Sequence, residues 1–236
     1  MNHSQPKTAW RDLWAFFIYF TGQAVIIPIL TLLAIGTNDV LPVPIAIIIG
    51  SLLVSLGVIS FLIWSHRHNV RTYLVQCFSN LRHYIKLIIF TYICYIIANA
   101  VFMLTISHLP KKWQFEETGN QEALKMFFEN PQWLPLVFIS IVIVTPITEE
   151  LLFRYVIVGE LGKKFGIGIM GIISIATFAS LHMQASQTIL EIIPYILMGA
   201  MFVMTYIKSN CNIVVSITTH MFNNFIAFVA ITMQTL

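Results

Sequence analysis

The sequence predicts an all-α fold: a polytopic transmembrane helical bundle of about seven to eight spans, with one or two amphipathic helices at the interface. Three observations carry that prediction. Only 10% of the 236 residues are charged and 58% are hydrophobic, whereas a water-soluble domain carries about 25% charged residues. Mean hydropathy is +0.82. Apolar runs recur at 13–35, 42–64, 85–107, 133–158, 166–183, 190–207 and 211–233, most of them close to the roughly 20 residues that cross hydrocarbon as a helix. In lipid the backbone must satisfy its own hydrogen bonds, and unbroken runs of this length do so only as helices. This composition excludes disorder, a collagen-like repeat and a disulfide scaffold. No internal repeat or Gly-rich phosphate loop interrupts it, so residues 1–236 read as a single integral-membrane domain.

The first run follows Lys7 and Arg11, as a signal peptide would. It is too long for a signal h-region and lacks a small-residue cleavage site, so it reads as a retained span. With the N-terminus inside, the inner segments hold Lys7, Arg11, Arg67, Arg71, Arg82, Lys86, Lys163, Lys164 and Lys208, against Lys111, Lys112 and Lys125 outside. That asymmetry obeys the positive-inside rule. It also accounts for the net charge of +3 without a nucleic-acid partner. The expected partner is the lipid bilayer.

Between the spans, Val70, Tyr73, Leu74, Cys77, Phe78 and Leu81 recur at helical spacing, which predicts an amphipathic helix over 70–81 lying on the inner surface. A second such segment, 121–129, sets Ala123, Leu124, Phe127 and Phe128 against Glu122, Lys125 and Glu129. The cysteines, Cys77, Cys94 and Cys211, lack CxxC spacing and predict no disulfide framework.

A charge near the bilayer centre costs about 3 kcal/mol on insertion scales. The chain nevertheless places Glu149, Glu150 and Arg154 in the fourth run, His182 late in the fifth, and His220 with Asn224 in the seventh. Counting at about 1.5 Å per residue from the inner lysines puts Glu149 about 21 Å deep, His182 about 27 Å, and His220 and Asn224 about 18 and 24 Å. Three spans therefore carry polar groups in one layer, which predicts one buried polar cavity. Glu150 and Arg154 stand at i and i+4, as an ion pair would, leaving Glu149 to face that cavity. His220 and Asn224 share the same spacing, so Asn224 can orient His220 or share a ligand with it. Pro146 cannot donate to the carbonyl of Val142 and predicts a kink beside Glu149.

These residue types suit several chemistries. A carboxylate base with oxyanion donors suits peptide hydrolysis. Glu149, His182 and His220 could instead ligate zinc and leave one position for water, although no HExxH motif is present. Buried Glu–Arg pairs and lone histidines also occur in small-solute carriers and in structural polar networks. Phe178 and Asn223 read as packing and as an interhelical hydrogen-bonder.

Three motifs then carry a resemblance: Glu149-Glu150-Leu151-Leu152-Phe153-Arg154 (EExxxR), Phe178-Ala179-Ser180-Leu181-His182 (FxxxH), and His220-Met221-Phe222-Asn223-Asn224 (HxxxN). In this order, over about residues 120–225, they resemble the CPBP intramembrane proteases, the CAAX prenyl-protease and Abi relatives. The resemblance implies an endopeptidase cutting a membrane-associated peptide or protein, with Glu149 activating water, His182 assisting it, and His220 and Asn224 holding the oxyanion. Glu150 and Arg154 would support the site. No metal is obligatory in this reading, and zinc is possible. The small basic chain resembles the bacterial members, which implies a bacterial cytoplasmic membrane and a small peptide precursor as substrate. The alternative within the resemblance is a non-catalytic membrane scaffold that binds a sensor kinase or a peptide-export partner.

Overall fold

A computed structural model describes residues 8–36 and 41–235; Lys7, counted above among the inner cations, lies outside them. The described residues form helices joined by turns and short loops, with no strand among them. The main helices are α1 (Trp14–Gly36), α2 (Val43–Ser65), α3 (Val70–Leu81), α4 (Ile85–Ile106), α5 (Gly119–Leu124), α6 (Pro131–Phe165), α7 (Ile167–Leu181), α8 (Ile192–Lys208) and α9 (Ile213–Thr235). Among the described residues, six helical stretches are long and apolar enough to cross a membrane. Large apolar side chains point outward along them, including Leu32, Phe90 and Leu104. With no water-soluble shell to cover that surface, the protein is an integral membrane protein, a polytopic helical bundle.

Three of the expected elements take a different form. The fifth apolar run yields α7, which is only 15 residues long. Its start is set by Gly166, whose φ of +90° lies where a Cβ is disfavoured, and its end by His182, which has left helical geometry. The amphipathic segment 70–81 is not separate from the following span. A 3-10 turn, Arg82–Tyr84, joins α3 to α4, and the two form one 37-residue stretch. The second amphipathic segment breaks after Leu124 into a 3-10 turn, Lys125–Phe127. Phe128 beyond it is buried rather than interfacial, 5.2 Å from the Phe228 ring. All three cysteines are free thiols.

The described chain falls into two compact units. One comprises Val75–Leu124 and Phe153–Thr219. Its core gathers Phe153, Phe178 and Phe202, with edge-to-face rings 5.7 and 5.9 Å apart. The other comprises Ala9–Leu74, Lys125–Leu152 and His220–Leu236. There Phe138 packs edge-on against Phe228 at 5.2 Å.

The fourth run is not a uniform α-helix. Within α6, Ile139–Val144 and Leu151–Leu161 are π-helical, and Thr145–Glu150 between them is α-helical. A π turn sends the carbonyl of residue i to the N–H of residue i+5. For Ile141 that residue is Pro146, which has no N–H. In π register the carbonyl of Ile141 is thus left without a backbone donor, where α-helical counting points to Val142.

Candidate active site

In the unit that contains α1, α2 and the C-terminal part of α9, Glu149 and Glu150 end the α-helical turn that follows Pro146. Both are buried, Glu150 completely, and His220 is 2% exposed. The His220 ring lies between the two carboxylates. Its Nδ1 donates to Glu150 Oε1 at 2.9 Å, and its Nε2 stands 3.7 Å from Glu149 Oε2. Because an ionised carboxylate only accepts, the bond to Glu150 fixes the proton on Nδ1. Nε2 then faces Glu149, where a proton arriving on it would be shared with that carboxylate. The Glu150 carboxylate thus holds His220, a partner that the EExxxR spacing does not indicate.

Asn224, one turn beyond His220, donates from Nδ2 to the carbonyl of Ile141 at 2.9 Å. Asn223 Nδ2 in turn donates to Asn224 Oδ1 at 3.3 Å. The side-chain amide of Asn224 therefore supplies the donor that Pro146 withholds. One residue of the HxxxN motif repairs the π turn that leads into Glu149. Tyr19 of α1 lies within electrostatic reach of Glu149; nothing in the first apolar run marks it out by sequence.

In the other unit, Arg154 is fully buried. Its guanidinium lies over the rings of Phe178, Phe202 and Phe153, at 4.7, 5.0 and 5.9 Å, and donates to the carbonyl of Gly199 at 3.4 Å. A planar delocalised cation is suited to stacking on several ring faces together. The Phe of FxxxH is thus the floor under the Arg of EExxxR.

His182 sits at the C-terminal cap of α7. Its Nδ1 lies 2.8 Å from the carbonyl of Phe178. A carbonyl can only accept, so Nδ1 carries the proton and Nε2 keeps its lone pair. The ring is held between Phe178, with centroids 4.4 Å apart, and Tyr195, at 4.8 Å and 27° between planes. Tyr195 is anchored in turn: its hydroxyl and Thr118 Oγ1 are 2.6 Å apart.

The buried Glu191 carboxylate accepts from the backbone N–H groups of Gly119, Gln187 and Thr188 at 2.6, 2.8 and 3.0 Å. It forms a capping box with Thr188 and ties the segment before α5 to the start of α8. A Cβ on Gly119 would lie 1.9 Å from the carbonyl oxygen of Ala185, so only glycine permits this approach. Sequence reading missed Thr118, Glu191 and Tyr195. An acidic residue at the edge of an apolar run looks like an ordinary loop carboxylate, and its backbone partners lie up to 72 residues away.

Among the described residues, no group of three or more His, Cys, Asp or Glu side chains is arranged to hold a metal ion. Glu149 and His220 in one unit and His182 in the other supply donor types suited to zinc.

Residues 131–226 match a family model described as type II CAAX prenyl endopeptidase Rce1-like. The matched segment contains Glu149, Glu150, Arg154, His182, His220 and Asn224. No curated protein and no solved structure matches the chain.

Proposed function

From the match of residues 131–226 to a family model described as type II CAAX prenyl endopeptidase Rce1-like, we propose that the chain is a protease of that kind, an intramembrane endopeptidase driven by glutamate-activated water. Glu149 takes a proton from water. The oxygen attacks the scissile carbonyl carbon, and the carbonyl π electrons move to oxygen as an oxyanion. Collapse of that intermediate re-forms the carbonyl and breaks the C–N bond, and the proton passes from Glu149 to the leaving amine. His182 offers a second base through Nε2. His220, donating from Nε2 when that nitrogen carries a proton, and the second amide N–H of Asn224 stabilise the oxyanion, and Glu150 and Arg154 support the site.

The observation that carries this reading is the Glu150–His220–Glu149 arrangement, with an oriented imidazole between two buried carboxylates. Preorganised groups of this kind act most strongly where water is excluded. The substrate we propose is a small membrane-associated peptide or protein precursor, which reaches the buried carboxylates from the bilayer. Each step of the mechanism is carried by the chain's own side chains.

The test uses purified protein reconstituted in lipid vesicles with membrane-anchored peptides. The expected result is internal cleavage that His182→Ala reduces by about 100-fold or more, with helicity and melting temperature retained. Cleavage should persist after exhaustive chelation. Loss of cleavage on chelation, restored by zinc, would overturn the metal-free mechanism. Unchanged cleavage in His182→Ala would remove that residue from it.

A further inference from the structure

A second site, which does not rest on the proteolytic reading, lies where the end of α2 meets the start of α1. A cavity of about 210 Å³ is lined by Arg11, Ser65, His66, Arg67, His68 and Asn69. Two of these six are arginines and two are histidines. The lining carries no carboxylate. Asp12, next to Arg11 in the chain, is completely buried and already bonded. It accepts from Ser65 Oγ at 3.0 Å and from His66 Nε2 at 2.7 Å, and Arg11 Nε stands 3.8 Å away.

Asp12 thereby fixes the cavity's back wall. Ser65 and His66 are locked at the C-terminal end of α2, and the Arg11 guanidinium also donates to the carbonyl of Ser65. Arg67 donates to the carbonyl of Trp64 at 3.3 Å and covers the Trp64 ring at 5.5 Å. Each arginine has five N–H donors, so these bonds position it without exhausting it. The Arg11 side chain remains 59% exposed.

The surroundings indicate the ligand's source. Trp10 and Trp64, the chain neighbours of the lining residues Arg11 and Ser65, are exposed, as is Trp14 three residues beyond Arg11, as tryptophans are at the level of lipid headgroups. Their position marks the end of the bundle to which positive-inside counting assigns the inner leaflet. The volume is below the roughly 300–1,000 Å³ of pockets that enclose drug-sized ligands; it suits a phosphate group whose attached chains remain outside.

We propose that this cavity binds the phosphate headgroup of an anionic phospholipid of the inner leaflet. Basic pockets at the cytoplasmic ends of transmembrane helices recognise lipid headgroups in this way. Arg11 and Arg67 supply the charge-assisted donors, a planar fork suited to phosphate oxygens, and the exposed tryptophans hold the glycerol backbone at the interface.

The test measures lipids retained by the full-length protein after extraction from mixed vesicles of phosphatidylglycerol and phosphatidylcholine, read by native mass spectrometry. The wild type should keep phosphatidylglycerol in preference. Arg67→Gln and Arg11→Gln should each lower that preference by about fivefold. Arg82→Gln, an inner cation outside the cavity, should leave it unchanged.

Arg67→Glu serves as a second variant, since Arg67 holds only one neighbouring carbonyl; thermal unfolding confirms that it folds, and its preference should vanish. Equal retention of the two lipids by the wild type would overturn the proposal. So would an unchanged preference in folded Arg67→Glu. Inorganic phosphate that raises the melting temperature as much as phosphatidylglycerol does, and displaces it, would assign the cavity to free phosphate and overturn the lipid source.

Discussion

His220 donates its Nδ1 proton to Glu150 at 2.9 Å while its Nε2 faces Glu149 at 3.7 Å. Adjacent residues of one helix thus hold opposite edges of one imidazole. Their division of labour follows from exposure: Glu150 is fully buried, whereas Glu149 retains 9% of its surface. In the proposed mechanism Glu150 orients and Glu149 reacts.

Glu150→Gln tests this division. The amide can still accept from Nδ1, but its charge is gone and its NH2 can force the imidazole into the other tautomer. The expected effect is a fall in kcat of about 100-fold or more, with KM little changed. Steady-state kinetics in proteoliposomes separate the two parameters. A rise in KM alone would make Glu150 a substrate-binding residue.

The Asn224–Ile141 bond makes a more unusual prediction. Asn224→Ala leaves the carbonyl of Ile141 without its side-chain donor and should destabilise the protein by about 1–3 kcal/mol. Pro146→Ala returns an N–H at the position the π turn requires. In a double-mutant cycle, Pro146→Ala should recover at least about 0.5 kcal/mol of that loss. Additive unfolding free energies would show that the two groups do not serve the same carbonyl.

Most of the fold was legible because hydrocarbon is an unforgiving solvent. Runs of apolar residues become helices there, and a charge left inside one stands out. Glu149, Glu150, Arg154, His182 and His220 were each found by that anomaly. The π segments were not legible, because the register of α6 depends on an amide 83 residues away that serves Ile141. Counting at 3.6 residues per turn therefore set Glu150 beside Arg154 and His220 beside Asn224, but gave no sign of the bond between His220 and Glu150, 70 residues apart. The aromatic seat of Arg154 was half visible, since Phe178 was singled out while Phe202 looked like any apolar residue of its run. Glu191 was hidden for the opposite reason: it lies at the edge of a span, where acids are ordinary.

Tyr195 offers a way to tell positioning from packing. Tyr195→Phe keeps the ring against His182 and loses the bond to Thr118, worth about 1 kcal/mol of stability; kcat should hold within about threefold. Tyr195→Leu removes one wall of the His182 sandwich and should lower kcat by about tenfold or more. It should also shift the pH profile of kcat, which a purely structural role would not move. Equal kcat and an unchanged profile in both variants would show that the stack does not set the His182 ring.

The most direct measurement compares the membrane peptidome of cells carrying the wild-type chain with that of cells carrying Glu149→Ala, at matched protein levels. If Glu149 activates the attacking water, one or a few peptide termini should be abundant with the wild type and absent with the variant, and the intact precursor should accumulate. The same termini at the same abundance in both would contradict the account.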